Sequence, residues 1–171
     1  MNRSLLFNFS VDKENKTINI KREFNANLEF VWKAWTSPEI LDQWWAPKPY
    51  HIETKSLDLE VGGMWLYAMV SPKNEKTWCK ADYKAIETNK LLSWLDAFCD
   101  EYGTENTVKP RSLWTNHFSE NNEITLVDIT LKHDRLEDIE TLLDMGFKEG
   151  FTSGLHNLDA YLEIQTYRSD K

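Results

Sequence analysis

Hydrophobic positions recur at two different spacings along this chain, and the switches between them mark out its elements. Phe7, Phe9 and Val11 alternate with polar residues, and Asp12-Lys13-Glu14-Asn15-Lys16 follows as a polar stretch of turn length. Ile18, Ile20 and Phe24 then alternate again, with Arg22 in the same phase. That pattern predicts two strands joined as a hairpin. The spacing changes next: Leu28, Val31, Trp32 and Trp35 fall at i, i+3, i+4 and i+7, one face of a helix that Asn27 is placed to cap. Pro38 ends this helix or opens a second, short one carrying Ile40, Leu41, Trp44 and Trp45, which Pro47 closes. Helices so rich in indoles must cover something apolar.

Strand patterning returns at residues 50–59, where Ile52, Leu57 and Leu59 are the apolar positions. Gly62-Gly63 punctuates, and a strand with Trp65, Tyr67 and Met69 on one face follows. Beyond the turn at Ser71–Glu75, further strands are predicted near 77–87, 90–99, 111–119 and 123–132. Short, closely linked strands of this kind read as an antiparallel meander. The acidic run Asp134, Glu137, Asp138 and Glu140 suits the first turn of a helix. Phe147, Phe151, Leu155, Leu158 and Leu162 then form a helical stripe over 147–166, about 30 Å long. Gly150 and Gly154 lie beside that stripe and lower helix propensity by about 1 kcal/mol each. They suit either a close approach of the helix to the sheet or room left for something else.

Several motifs in this order resemble the START-like (SRPBCC) superfamily, in the branch named for the C-terminal domain of the activator of the Hsp90 ATPase. They are Arg22-Glu23-Phe24, then Val31-Trp32-Lys33-Ala34-Trp35-Thr36-Ser37-Pro38-Glu39, Trp44-Trp45 and Val61-Gly62-Gly63. Tyr83-Lys84-Ala85-Ile86, Phe98-Cys99-Asp100-Glu101 with Gly103, and Gly146-Phe147-Lys148-Glu149-Gly150-Phe151 complete the set. The resemblance covers about 17–166 of a chain read as one domain over 1–171, with residues 1–16 as an extra strand and turn. It implies an α+β helix-grip fold, in which a curved antiparallel sheet wraps a long C-terminal helix. It also implies a cavity between the sheet and that helix.

The 171 residues include 8 Trp, 6 Tyr and 8 Phe, each able to bury ~150–250 Å², so aromatic rings dominate whatever interior forms. With the cavity that the resemblance implies, Trp44, Trp65, Tyr67, Met69, Tyr83, Trp94, Phe98 and Trp114 are the candidate ligand-binding residues of the first helices and the strands. Phe151, Leu155 and Leu158 are the candidates on the opposite wall. The plainer alternative for every one of them is a solid core. The Trp44-Trp45 pair is placed to gate the cavity mouth, or else one packs while the other is partly exposed; on a helix they point about 100° apart, so both cannot face identically.

Polar chemistry is sparse. Asp96 shares the phase of Trp94 and Phe98, and a carboxylate facing inward there is expensive unless paired. Its plainer reading is an edge or surface residue, as it is for His117, and Arg22 is placed to pair with an inward acid. An enzyme reading would use Asp96 or His117 as a base and Tyr83 or Tyr67 as a donor to a carbonyl. No acid–base or nucleophile motif has the required spacing, and His51, His117, His133 and His156 are scattered. Cys79 and Cys99 read as reduced structural thiols. No metal, cofactor or catalytic residue is expected. The net charge of −8 argues against nucleic acid and anionic membranes as partners. The longest apolar run, Met64–Val70, is too short to cross a bilayer, and the start of the chain shows no small-residue cleavage site. A cytoplasmic location is the default.

The expected function is binding of a hydrophobic or aromatic small molecule without turnover. A polyketide cyclase-like enzyme and a co-chaperone interaction module are the alternatives that the resemblance supplies. The co-chaperone role ranks last, because full-length activators add a separate amino-terminal domain. A homodimer paired through the first strand is a further expectation.

Overall fold

In the computed structural model, which describes residues 4–169, the strands are β1 (Phe7–Asp12), β2 (Thr17–Phe24), β3 (His51–Leu57), β4 (Met64–Val70), β5 (Lys76–Glu87), β6 (Leu91–Phe98), β7 (Ser112–Asn121) and β8 (Ile124–Lys132). The helices are α1 (Leu28–Thr36), α2 (Pro38–Trp44), α3 (Leu136–Asp144) and α4 (Phe147–Ser169). The expectation about the extreme amino terminus, Met1 to Arg3, lies outside the described residues.

All eight strands join one antiparallel sheet in the order β1-β2-β8-β7-β6-β5-β4-β3. From β3 to β8 the chain is the predicted meander, and β2 closes onto β8. The α1–α2 pair therefore spans from the β2 side of the sheet to its far edge at β3. Alternation puts Ile18, Ile20, Arg22 and Phe24 of β2 on the buried face with Trp114, Asn116 and Phe118 of β7 and Val127, Ile129 and Leu131 of β8. The long helix α4 presents Phe151, Leu155, Leu158 and Leu162 to this face, all buried. β3 is shorter than the sequence reading. β3 ends at Leu57 after a bulge between Thr54 and Ser56, and Leu59 is exposed beyond it.

Local chemistry fixes the element ends. The Asn27 side chain accepts a hydrogen bond from the Phe30 N–H and caps α1, and Pro38 occupies the first turn of α2. Gly62 has φ +89°, and a Cβ on Gly63 would lie 2.2 Å from the Asp58 carbonyl oxygen, so the turn before β4 requires both glycines.

Arg22 finds its inward acid. Its guanidinium pairs with Asp159 of α4, donates to the Glu23 carbonyl oxygen and lies over the Phe7 and Phe24 rings. The pair ties the β1–β2 hairpin to the long helix. The Arg22 side chain is 6% exposed and that of Asp159 is 37% exposed. Removing the acid therefore strands a mostly buried cation, while solvent reaches one side of the pair. Asp159→Ala is expected to lower stability by about 2 kcal/mol in denaturant unfolding, between the values for surface and fully buried pairs.

The helix glycines differ in use, and the close approach is made to α2 rather than to the sheet. A Cβ on Gly154 would meet the Trp44 and Trp45 carbonyl oxygens at 3.1 and 3.3 Å, so this glycine lets α4 pass close beneath the end of α2. A Cβ on Gly150 meets only Pro47 Cγ at 3.7 Å. Gly150→Ala should raise stability by up to about 1 kcal/mol through helix propensity, whereas Gly154→Ala should lower it. Chemical denaturation of the two single variants checks the opposite signs.

Candidate functional site

The sheet and α4 do not meet along their whole length. At the plugged end, the α1–α2 indoles fill the space. Trp44 is 0% exposed, its indole N–H donates to the Ala34 carbonyl oxygen at 2.8 Å, and its ring packs edge-on against Trp35 at 4.8 Å. At the other end, where α3 turns into α4 through Gly146 (φ +88°), the helices stand off from β4–β7. A cavity of about 340 Å³ opens there, within the range of roughly 300–1,000 Å³ common for small-molecule sites.

The sheet contributes Tyr67 and Met69 of β4, Thr77 and Cys79 of β5, Asp96, Ala97 and Phe98 of β6, and Ser112 and Trp114 of β7. The helical side contributes Trp45, Pro47, Leu142, Met145, Gly146, Phe147, Gly150 and Phe151, and Pro110 completes the rim. Met145 is 48% exposed at the mouth. The Phe147 and Phe151 rings stack at 5.4 Å, and both meet Trp114 edge-on, at 6.0 and 5.3 Å. Trp45 joins the two ends. Its ring lies 5.5 Å from Trp114 and 5.9 Å from Phe151, and its N–H donates to the Tyr67 hydroxyl at 3.2 Å.

Of the residues expected to contact a ligand, Tyr67, Met69, Phe98, Trp114 and Phe151 stand on this wall. Trp65, Tyr83 and Trp94 do not. They border a gap of about 10 Å³ at the indole-filled end, no larger than one water. Each has a physical reason. The Trp65 N–H is held by Thr54 Oγ1 at 3.0 Å, and Thr54 in turn donates to Asp42. Tyr83 precedes a bulge in β5 and lies opposite Trp94, which stacks on Trp114 at 5.0 Å. Trp44, Leu155 and Leu158 are wholly buried in the core, beneath the close α2–α4 crossing. The sequence reading does not name Pro47, Cys79, Ser112, Leu142 or Phe147 as cavity residues, and it weighs Trp45 only as part of a gate. Phe147 was legible as the first member of the helical stripe, and Trp45 as the half of the pair not facing the core.

Asp96 is the main correction. It is neither an edge nor a surface residue: its carboxyl borders the cavity, facing inward with Phe98 as the alternation implied. Among the described residues no lysine, arginine or histidine is paired with it, and burial pushes it up to about 7. The Trp114 indole N–H favours the carboxylate, though its contact falls short of a regular hydrogen bond. Burial likewise raises Tyr67 and Cys79, and the nearby Asp96 charge adds to both. Ser112 Oγ lies 2.7 Å from His133 Nε2, but His133 Nδ1 has no partner, so nothing orients the ring as a base. Burial holds His133 below its ordinary value. His117 faces outward. Cys79 and Cys99 are both free thiols, and no three His, Cys, Asp or Glu side chains among the described residues are grouped to hold a metal.

A curved antiparallel sheet gripping a long C-terminal helix, with a cavity at one end, defines a helix-grip domain of the START-like type. The chain belongs to the family described as activator of Hsp90 ATPase homolog 1-like protein, whose model matches residues 25–163. It is similar to protein Ms6760 from Mycobacterium smegmatis, at 28% identity and TM-score 0.84 over 93% of this chain and 97% of that one. A protein from Arthrobacter aurescens is 26% identical, with TM-score 0.86 over 91% of each chain. A protein from Staphylococcus epidermidis is 25% identical, with TM-score 0.80 over 91% of this chain and 94% of that one. No curated protein matches the chain. No helix among the described residues is long and apolar enough to cross a membrane.

Proposed function

We propose that this protein binds a hydrophobic or aromatic small molecule in the cavity between β4–β7 and the α3–α4 corner, without turning it over. The observation that carries this reading is a cavity of about 340 Å³ walled by Trp45, Trp114, Phe147 and Phe151, in a molecule whose other end is filled by the same residue types. Burying ligand surface against such walls contributes roughly 25 cal/mol per Å² before the costs of association. Binding without catalysis follows from the polar inventory. Tyr67 already accepts from Trp45, Ser112 is engaged by His133, and among the described residues Asp96 has no partner that would make it half of an acid–base pair.

Thermal unfolding and tryptophan fluorescence against a panel of apolar aromatic and lipid-like compounds test the reading. A saturable rise in melting temperature is expected for at least one compound. Gly150→Leu projects a side chain into the cavity and should abolish that response while the protein stays folded. A panel with no response, or a response that survives Gly150→Leu intact, would contradict the proposal.

A further inference from the structure

Asp96 is the one acidic or basic side chain among the described residues that line the cavity, and it narrows the class of ligand. A carboxylate is costly among apolar rings unless a cation or several donors meet it, and no described residue supplies a cation to Asp96. The Trp114 N–H beside it is buried and lacks a regular partner, so one oxygen of the carboxyl has a donor nearby and the rest of the group faces the cavity. Trp114, Phe147, Phe151 and Trp45 surround the same space, and an aromatic ring attracts a cation placed over its face. The net charge of −8 favours a positive ligand at longer range.

We infer that the ligand is a protonated amine carried on an aromatic or alicyclic body, with its ammonium group held by Asp96 and its body packed among the cavity rings. This rests on the cavity-binding reading above. The ammonium donates hydrogen bonds to the carboxylate, and the pair gains strength from the low dielectric around it. The ion pair forms only when Asp96 is ionised, so amine affinity falls as the pH drops below about 7. The other groups facing Asp96 do not reproduce that profile. Tyr67 on β4 and Cys79 on β5 are both raised and stay neutral. Ser112 on β7 does not titrate, and His133 behind it is lowered. Leu142, Met145, Phe147, Gly150 and Phe151 bring no charge from α3, α4 and the turn between them.

Three probes of one shape provide the test: 2-naphthylmethylamine, 2-naphthylmethanol and 2-naphthoate, titrated into the full chain at pH 5.5 and pH 8 by calorimetry. At pH 8 the amine should bind at least about tenfold tighter than the alcohol. That advantage should shrink at pH 5.5 and disappear in Asp96→Asn. If the amine and alcohol bind equally at pH 8, or the carboxylate binds best, the amine inference is overturned while cavity binding stands. If none of the three binds and the wider panel is also silent, both readings fall. The pH comparison on the unaltered protein decides the matter even if the variant folds poorly.

Discussion

Trp44→Ala will lower stability by about 3–5 kcal/mol and the thermal midpoint by roughly 10 °C. The indole is completely buried, packs edge-on against both Trp35 and Trp45, and donates its N–H to the Ala34 carbonyl oxygen. Its removal leaves a void under the α2–α4 crossing, where the backbone cannot close in. At Gly154 the α2 carbonyl oxygens already stand at the limit of approach. The neighbouring Trp45→Ala should behave differently. Trp45 is half-buried on the cavity wall, so its loss should cost less stability and more ligand response. Thermal unfolding of the two variants beside their ligand titrations separates these roles. Equal stability losses would contradict the assignment of Trp44 to the core and Trp45 to the site.

Asp96→Asn is expected to stabilise the protein, by about 2–4 kcal/mol at pH 8. The folded protein holds this carboxyl up to about 7, against an ordinary value of 3.8. Between those values the native state keeps a proton that the unfolded chain releases. Stability is therefore fully present below about pH 4, declines as pH rises towards 7, and stays reduced above it. Solvent entering the cavity weakens the effect, which sets the lower end of the range. Asparagine keeps the shape and removes the charge, so the gain should nearly vanish at pH 4. Denaturant unfolding of both proteins at pH 4 and pH 8 checks this. A variant less stable than the parent at pH 8 would mean that the carboxylate is already satisfied within the fold.

The period of the hydrophobic pattern revealed most of the fold, because burial on one face of each element is a local property of the sequence. Alternation in β2 and β7, the i, i+4 stripe of α4 and the Asn27 and Pro38 signals placed the elements within a few residues. The site was less legible, since it depends on where two packed layers part. Nothing local distinguishes Trp94, stacked in the filled end, from Phe98 four residues along the same face at the cavity. The bulge beside Tyr83 and the hydrogen bond that holds Trp65 to Thr54 arise only once β3–β6 are paired. Asp96 shows the same division. Its inward phase could be read from Trp94 and Phe98, but its place on an open wall depends on the α3–α4 corner standing away from the sheet.

The most direct measurement is an NMR titration of the indole N–H signals, which report on eight tryptophans spread through the molecule. Trp45 and Trp114 line the cavity, while Trp78 lies on the opposite face of the sheet beside Lys55 and Lys76. With the panel compound that most raises the melting temperature, the Trp45 and Trp114 signals should shift in a saturable way and the Trp78 signal should stay fixed. Signals that stay fixed throughout, or a shift confined to Trp78, would contradict binding in the cavity.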